Sequence, residues 1–139
     1  MQAVFKALQN RFHANTILKR LGRELFVGLL EKEKLTVVKP YVEVNLTKVS
    51  SQDTFDSDID VWRCDFLYHA KDLRADAAFQ WQEAMRTTFK NGNITSPEFH
   101  CAGMVLDSQE GPSTAKGTYD AKATYTLTVQ RFVQTPVRT

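Results

Sequence analysis

The sequence predicts a single α+β domain in which an antiparallel sheet of four to five strands is flanked by an N-terminal helix and a central helix. Three observations predict it. Tyr119, Ala121, Ala123, Tyr125, Leu127 and Val129 alternate without a miss against Asp120, Lys122, Thr124, Thr126, Thr128 and Gln130, a period of two that sets one strand face in a core and the other in water. Two further stretches carry apolar residues at helical spacing. The order helix, strand, strand, strand, helix, strand, strand, with hairpin-length links, suits antiparallel neighbours with helices packed on them.

In chain order, Val4, Leu8 and Phe12, with Phe5 beside them, give residues 2–12 one apolar helical stripe, which His13, Ala14 and Asn15 interrupt. Thr16 is placed to cap a second short turn that stops at Gly22. Leu25, Val27 and Leu29 then alternate with Glu24, Phe26 and Gly28, which predicts a strand over 23–30 with apolar residues on both faces. After the charged stretch Glu31 to Lys34, Pro40 leads into a half-buried strand over 41–48 with Val42, Val44 and Leu46 on one face. The polar, acidic stretch 50–58 predicts a loop. In the strand over 59–68, apolar parity switches from Ile59 and Val61 to Trp62, Cys64, Phe66 and Tyr68, which a bulge or cover on both faces would explain.

Asp72 is placed to cap the central helix, which runs to about Phe89. Leu73, Ala77, Ala78, Trp81, Ala84, Met85, Thr88 and Phe89 fall in its sheet-facing sector. Asn91-Gly92-Asn93 ends it, and Pro97 leads into a strand over 98–106 that pairs across a Gly, Pro and Ser loop with the strand over 119–132. The 139 residues suit one domain, with 133–139 an extended C-terminal tail.

Composition excludes several classes. Apolar content of 42% and charged content of 24% are ordinary for a globular chain, and no stretch approaches the ~20 apolar residues of a membrane span. The N-terminus lacks the apolar run and small-residue cleavage site of a secretory leader, which predicts a protein made and kept in the cytoplasm. A net charge of +2, evenly scattered, selects no nucleic-acid surface. Cys64 and Cys101 lack C-x-x-C spacing and read as reduced, buried thiols.

No constellation of chemistry-bearing residues outweighs its structural reading. His13, His69, His100, Cys64 and Cys101 include only one short-range pair, His100-Cys101, whose side chains point to opposite faces of a strand. Cys64 and His100 remain as a pair that could meet across the sheet for a metal, and any of the three histidines could reach Cys64 or Cys101 as the base of a nucleophile, against which the burial of both cysteines argues. Gly103, Gly111 and Gly117 form no phosphate loop, and Asp56, Asp58 and Asp60 lack the Gly and Glu of a calcium loop. No cofactor, metal ligand or catalytic residue is predicted.

The surface is more informative. Phe79 falls opposite the central helix's apolar sector, ringed by Ala75, Asp76, Glu83 and Arg86, a pattern suited to an interface anchor. Phe55 in the acidic loop and Val133 and Val137 in the tail are apolar or extended elements available to a neighbouring subunit.

Taken together, the N-terminal helix, Leu21-Gly22-Arg23-Glu24-Leu25-Phe26-Val27-Gly28, Pro40-Tyr41-Val42, Asp58-Ile59-Asp60-Val61-Trp62, the helix 75–89 and Ala123-Thr124-Tyr125-Thr126-Leu127-Thr128-Val129-Gln130 resemble the tail terminator family of long-tailed bacteriophages, also called tail completion or tail-to-head joining proteins. The resemblance spans nearly the whole chain, with Pro-Tyr-Val and the Asp-Val-Trp strand its most specific pieces. It implies an antiparallel sheet flanked by two helices and a homohexameric ring in the virion, at the head-tail junction. There the ring would stop tube polymerisation, contact the tail-tube protein and the head connector or head-closure protein, and pass DNA as cargo, with no membrane partner. The charged link 31–39 and the acidic 50–58 stretch depart from the family pattern. The alternatives are a head-closure or adaptor protein, or a small α+β enzyme or ligand-binding module using Cys64 and His100.

Overall fold

The computed structural model describes residues 2–22, 25–27, 41–53, 58–69, 75–90, 94–111 and 121–131. In these the chain forms α1 (Gln2–Ala14), α2 (Thr16–Gly22), β1 (Leu25–Val27), β2 (Tyr41–Asp53), β3 (Asp58–His69), α3 (Ala75–Thr88), β4 (Phe99–Glu110) and β5 (Ala121–Arg131). The strands make one sheet in the order β1-β2-β3-β5-β4. The four long strands pair antiparallel, so the fold is the α+β architecture expected, with the N-terminal helical segment and α3 packed on the sheet.

One edge departs from the expectation. β1 pairs parallel with β2, Leu25 opposite Val42 and Val27 opposite Val44. Parallel neighbours need a crossover of about a dozen residues, and the link over 28–40 has that length. A hairpin-length reading of that link was the error.

The core lies on one face of the sheet. Cross-strand rows set Val42 beside Tyr68 and Ala121, Val44 beside Phe66 and Ala123, and Cys64 beside Tyr125 and Leu106, so β2, β3, β5 and β4 present their apolar positions to the helices together. Val4, Ala7, Leu8 and Phe12 of α1, Leu18 of α2, Ala78, Trp81 and Met85 of α3, and Phe89 just after it, close over them. Trp81 stacks on Tyr68 at 5.3 Å, and Phe89 meets Phe66 at 5.3 Å and Tyr125 at 5.9 Å. Each such side chain contributes ~1.5–3 kcal/mol by leaving water.

Two short polar links fix the helices. Asn15 Oδ1 accepts from the backbone N–H groups of Ile17 and Leu18 at 3.0 and 3.1 Å, so the cap of α2 is Asn15 and not Thr16. Thr16 was one residue too far along the chain: the bonded amides are those of the second and third helical positions after Asn15. Asn15 Nδ2 also donates to Thr88 Oγ1 at 2.7 Å, and Arg11 Nε donates to the Thr88 carbonyl at 3.1 Å, which pins the α1–α2 corner to the end of α3.

The acidic stretch read as a loop over 50–58 is largely strand. β2 continues to Asp53, β3 begins at Asp58, and the pairing shifts at a bulge between Lys48 and Ser50. Polar cross-strand contacts override the turn-like composition: Ser51 Oγ donates to Asp60 Oδ1 at 2.6 Å, and Asp60 Oδ2 lies 2.8 Å from Arg131 Nε and 3.9 Å from Lys48 Nζ. The bulge therefore sits in β2, not β3. β3 pairs with β5 without a shift from Asp58 to Tyr68, so Asp60 takes the helix-side position next to Trp62 while Ile59 and Val61 face the other way. On that second face Leu67 and His69 are nonetheless buried, as are Tyr41 and Glu43 of β2. β4 outruns its expected end at Leu106 and reaches Glu110, with register shifts at Ala102 and Asp107. Gly111 follows at a φ of 97°, a conformation that favours glycine.

Candidate functional site

α3 positions the surface to which the sequence pointed. Its sheet-facing sector is buried, which leaves the opposite stripe in solvent: Phe79 is 59% exposed, and Glu83 and Arg86 are exposed beside it. Side chain–backbone bonds hold the stripe from the sheet side. Gln82 Nε2 donates to the Glu110 carbonyl at 3.0 Å and Gln109 Nε2 donates to the Gln82 carbonyl at 3.1 Å. Arg86 Nη2 donates to Gln109 Oε1 at 3.2 Å, so this guanidinium is tied to its own sheet. A large ring on a helix fixed in this way loses little conformational freedom when a partner covers it.

Ala75 and Asp76 belong to α3, but their side chains lie outside the described residues, as do Phe55, Val133 and Val137 altogether. Of the predicted interface positions, the structure thus brings together Phe79, Glu83 and Arg86.

No protein-family model matches the chain, and no curated protein matches it.

The structure separates the residues that could have carried chemistry. Cys64 faces the helices in a row with Leu46, Tyr125 and Leu106, whereas His100 faces away from them in a row with Gln130 and Ile59. They lie on opposite faces of the sheet and cannot share an ion or a proton. Burial, with the Asp65 charge adding to it, pushes the Cys64 thiol up to about 12. Burial also raises the half-buried Cys101, against a backbone hydrogen bond from Gly103 that lowers it. Among the described residues no group of His, Cys, Asp and Glu is arranged to hold a metal. His13 packs edge-on against Phe12 at 5.9 Å, a structural role.

Three features escaped sequence reasoning. Tyr41 stacks on His69 at 4.4 Å, with His69 Nε2 3.7 Å from Glu43 Oε1, all buried on the face away from the helices. Period-two alternation placed Tyr41 and Glu43 opposite the face of Val42, Val44 and Leu46, His69 lay just past the strand expected over 59–68, and nothing local signals their burial. Exposed Ile17, Val49 and Val105 were hidden inside otherwise regular patterns: Val49 sits at the bulge, and Val105 faces away from the core because of the register shifts in β4. A groove of about 300 Å³ between α2 and α3, lined by Ile17, Arg20, Gln80, Glu83, Ala84 and Thr87, depends on helix packing that no spacing encodes.

Proposed function

We propose that this chain is a tail terminator of a long-tailed bacteriophage, a structural protein that forms a ring on the tail tube, ends its polymerisation and joins the tail to the head. The observation that carries the reading is the architecture. An N-terminal helical segment, two long antiparallel strands, a central helix and two further antiparallel strands follow one another in the order that the family resemblance implies. The stripe of Phe79, Glu83 and Arg86, held rigid by bonds to β4, supports it as a surface suited to a protein partner.

Work of this kind is done by shape and contact. The partners are other copies of the chain, the tail-tube protein and a head connector or head-closure protein, with DNA passing through the ring. No helix among the described residues is long and apolar enough to cross a membrane.

The test is light scattering with negative-stain imaging of the purified protein, alone and with tail tubes. Rings at tube ends support the reading. A monomer at high concentration that leaves tube ends bare removes it. Phe79→Asp is expected to abolish end binding while the melting temperature stays within a few degrees, because an exposed side chain contributes little to the fold.

A further inference from the structure

The helical segment and the last strand of the sheet carry opposite charge. Gln2–Gly22 holds Lys6, Arg11, Lys19 and Arg20 and no carboxylate, whereas Phe99–Glu110 holds Asp107 and Glu110 and no Lys or Arg. These surfaces lie on opposite sides of the molecule: α2 packs over β2, and β4 is the strand at the other edge. Each also exposes a branched apolar side chain, Ile17 at 44% on α2 and Val105 at 61% on β4.

Their shapes differ in a complementary way. Ile17 borders the groove between α2 and α3, with Arg20 on the α2 wall and Gln80, Glu83, Ala84 and Thr87 on the α3 wall. Val105 stands on the face of β4 away from the described helices, opposite Thr126, and Asp107 accepts a hydrogen bond from Thr126 Oγ1 on the same face. Register shifts at Ala102 and Asp107 break the run of β4, which disfavours strand-to-strand pairing along that edge and leaves its side chains as the contact.

We propose that the α2–α3 groove of one copy receives the β4 face of the next, Val105 seated beside Ile17 and Ala84 and Asp107 facing Arg20. Glu83 repels a carboxylate from the α3 wall, so Asp107 fits on the Arg20 side only. Because the two patches are different and lie on opposite sides, the contact is head-to-tail, the kind that closes into a ring when the rotation between copies allows it. The inference rests on the assembly reading above and specifies which faces meet.

Sedimentation velocity of the full chain, with and without tail tubes, tests it using Arg20→Glu, Asp107→Lys and the two combined. Each single reversal is expected to weaken self-association roughly tenfold or more, and the combination to restore most of it, because the charges exchange sides. Thermal melts of each variant separate lost contact from lost fold. If a reversal melts early, Arg20→Gln and Asp107→Asn give the same comparison with smaller changes. Single variants that assemble like the parent overturn this interface and leave the proposed function standing. A parent chain that neither self-associates nor binds tube ends overturns both.

Discussion

Asp60 holds the far end of the sheet together, and its removal and that of its partner are expected to differ. Asp60 is 3% exposed, whereas the side chains of Arg131 and Lys48 are 42% and 46% exposed. If Asp60 is removed, the half-exposed Lys48 regains water and Arg131 keeps Asp58 at 3.7 Å. If Arg131 is removed, the carboxylate stays buried, and among the described residues it keeps Ser51 and the distant Lys48. Breaking a buried pair from one side costs about 3–5 kcal/mol, and the half-exposed guanidinium reduces that toward a charge-assisted hydrogen bond of about 1.5–3 kcal/mol. Arg131→Ala is therefore expected to cost about 2–3 kcal/mol. Asp60→Val places a β-branched residue opposite Val129 and removes the desolvated charge, so its cost is expected at about 0–1 kcal/mol. At about 3 °C per kcal/mol for a chain of this size, the first melts roughly 6–9 °C low and the second no more than about 3 °C low. Urea titrations at constant slope check the two values. The reasoning fails if Asp60→Val is the more damaging change, or if the effects of the two simply add in the double variant.

Other expectations follow from single contacts. Asn15→Ala removes the α2 cap and the bond to Thr88, and is expected to cost about 1–2 kcal/mol in thermal denaturation, with Thr16→Ala near neutral. The Tyr125 hydroxyl is buried without a hydrogen-bond partner among the described residues, so Tyr125→Phe is expected to be neutral or stabilising by up to about 1 kcal/mol. Cys64 has a folded pKa raised above its unfolded value. Its contribution is thus intact below pH about 9 and lost as pH rises toward about 12, a decline in melting temperature that Cys64→Ala should flatten. Below that window Cys64 should resist a thiol reagent until the protein unfolds, while half-buried Cys101 reacts first.

Sequence patterns resolved the elements whose stability is local or periodic. The alternation over β5 and the apolar sector of α3 are repeated signals, and the buried residues Ala121, Ala123, Tyr125, Leu127, Val129, Trp81, Met85 and Phe89 follow them. Phe79, Glu83 and Arg86 were legible for the same reason, since an outward angle on a helix survives folding. The misread pieces are those settled by distant partners. Ser51 looks like a loop residue until Asp60 arrives opposite it, held in turn by Arg131 from a strand far along the chain. The direction of β1 depends on a crossover, the parity of β3 on an apolar second face, and the tie from Arg86 to Gln109 on how α3 lies over β4. Cys64 and His100 could be separated only once the register assigned them to opposite faces.

The claim that this chain ends a phage tail is tested most directly by following tail-tube growth in its presence. Purified protein added to polymerising tubes of the same phage should halt elongation and leave a ring at one end of each tube, whereas the Phe79→Asp variant should let growth continue. Tubes that lengthen at the same rate with the protein present, and whose ends stay bare, would contradict it.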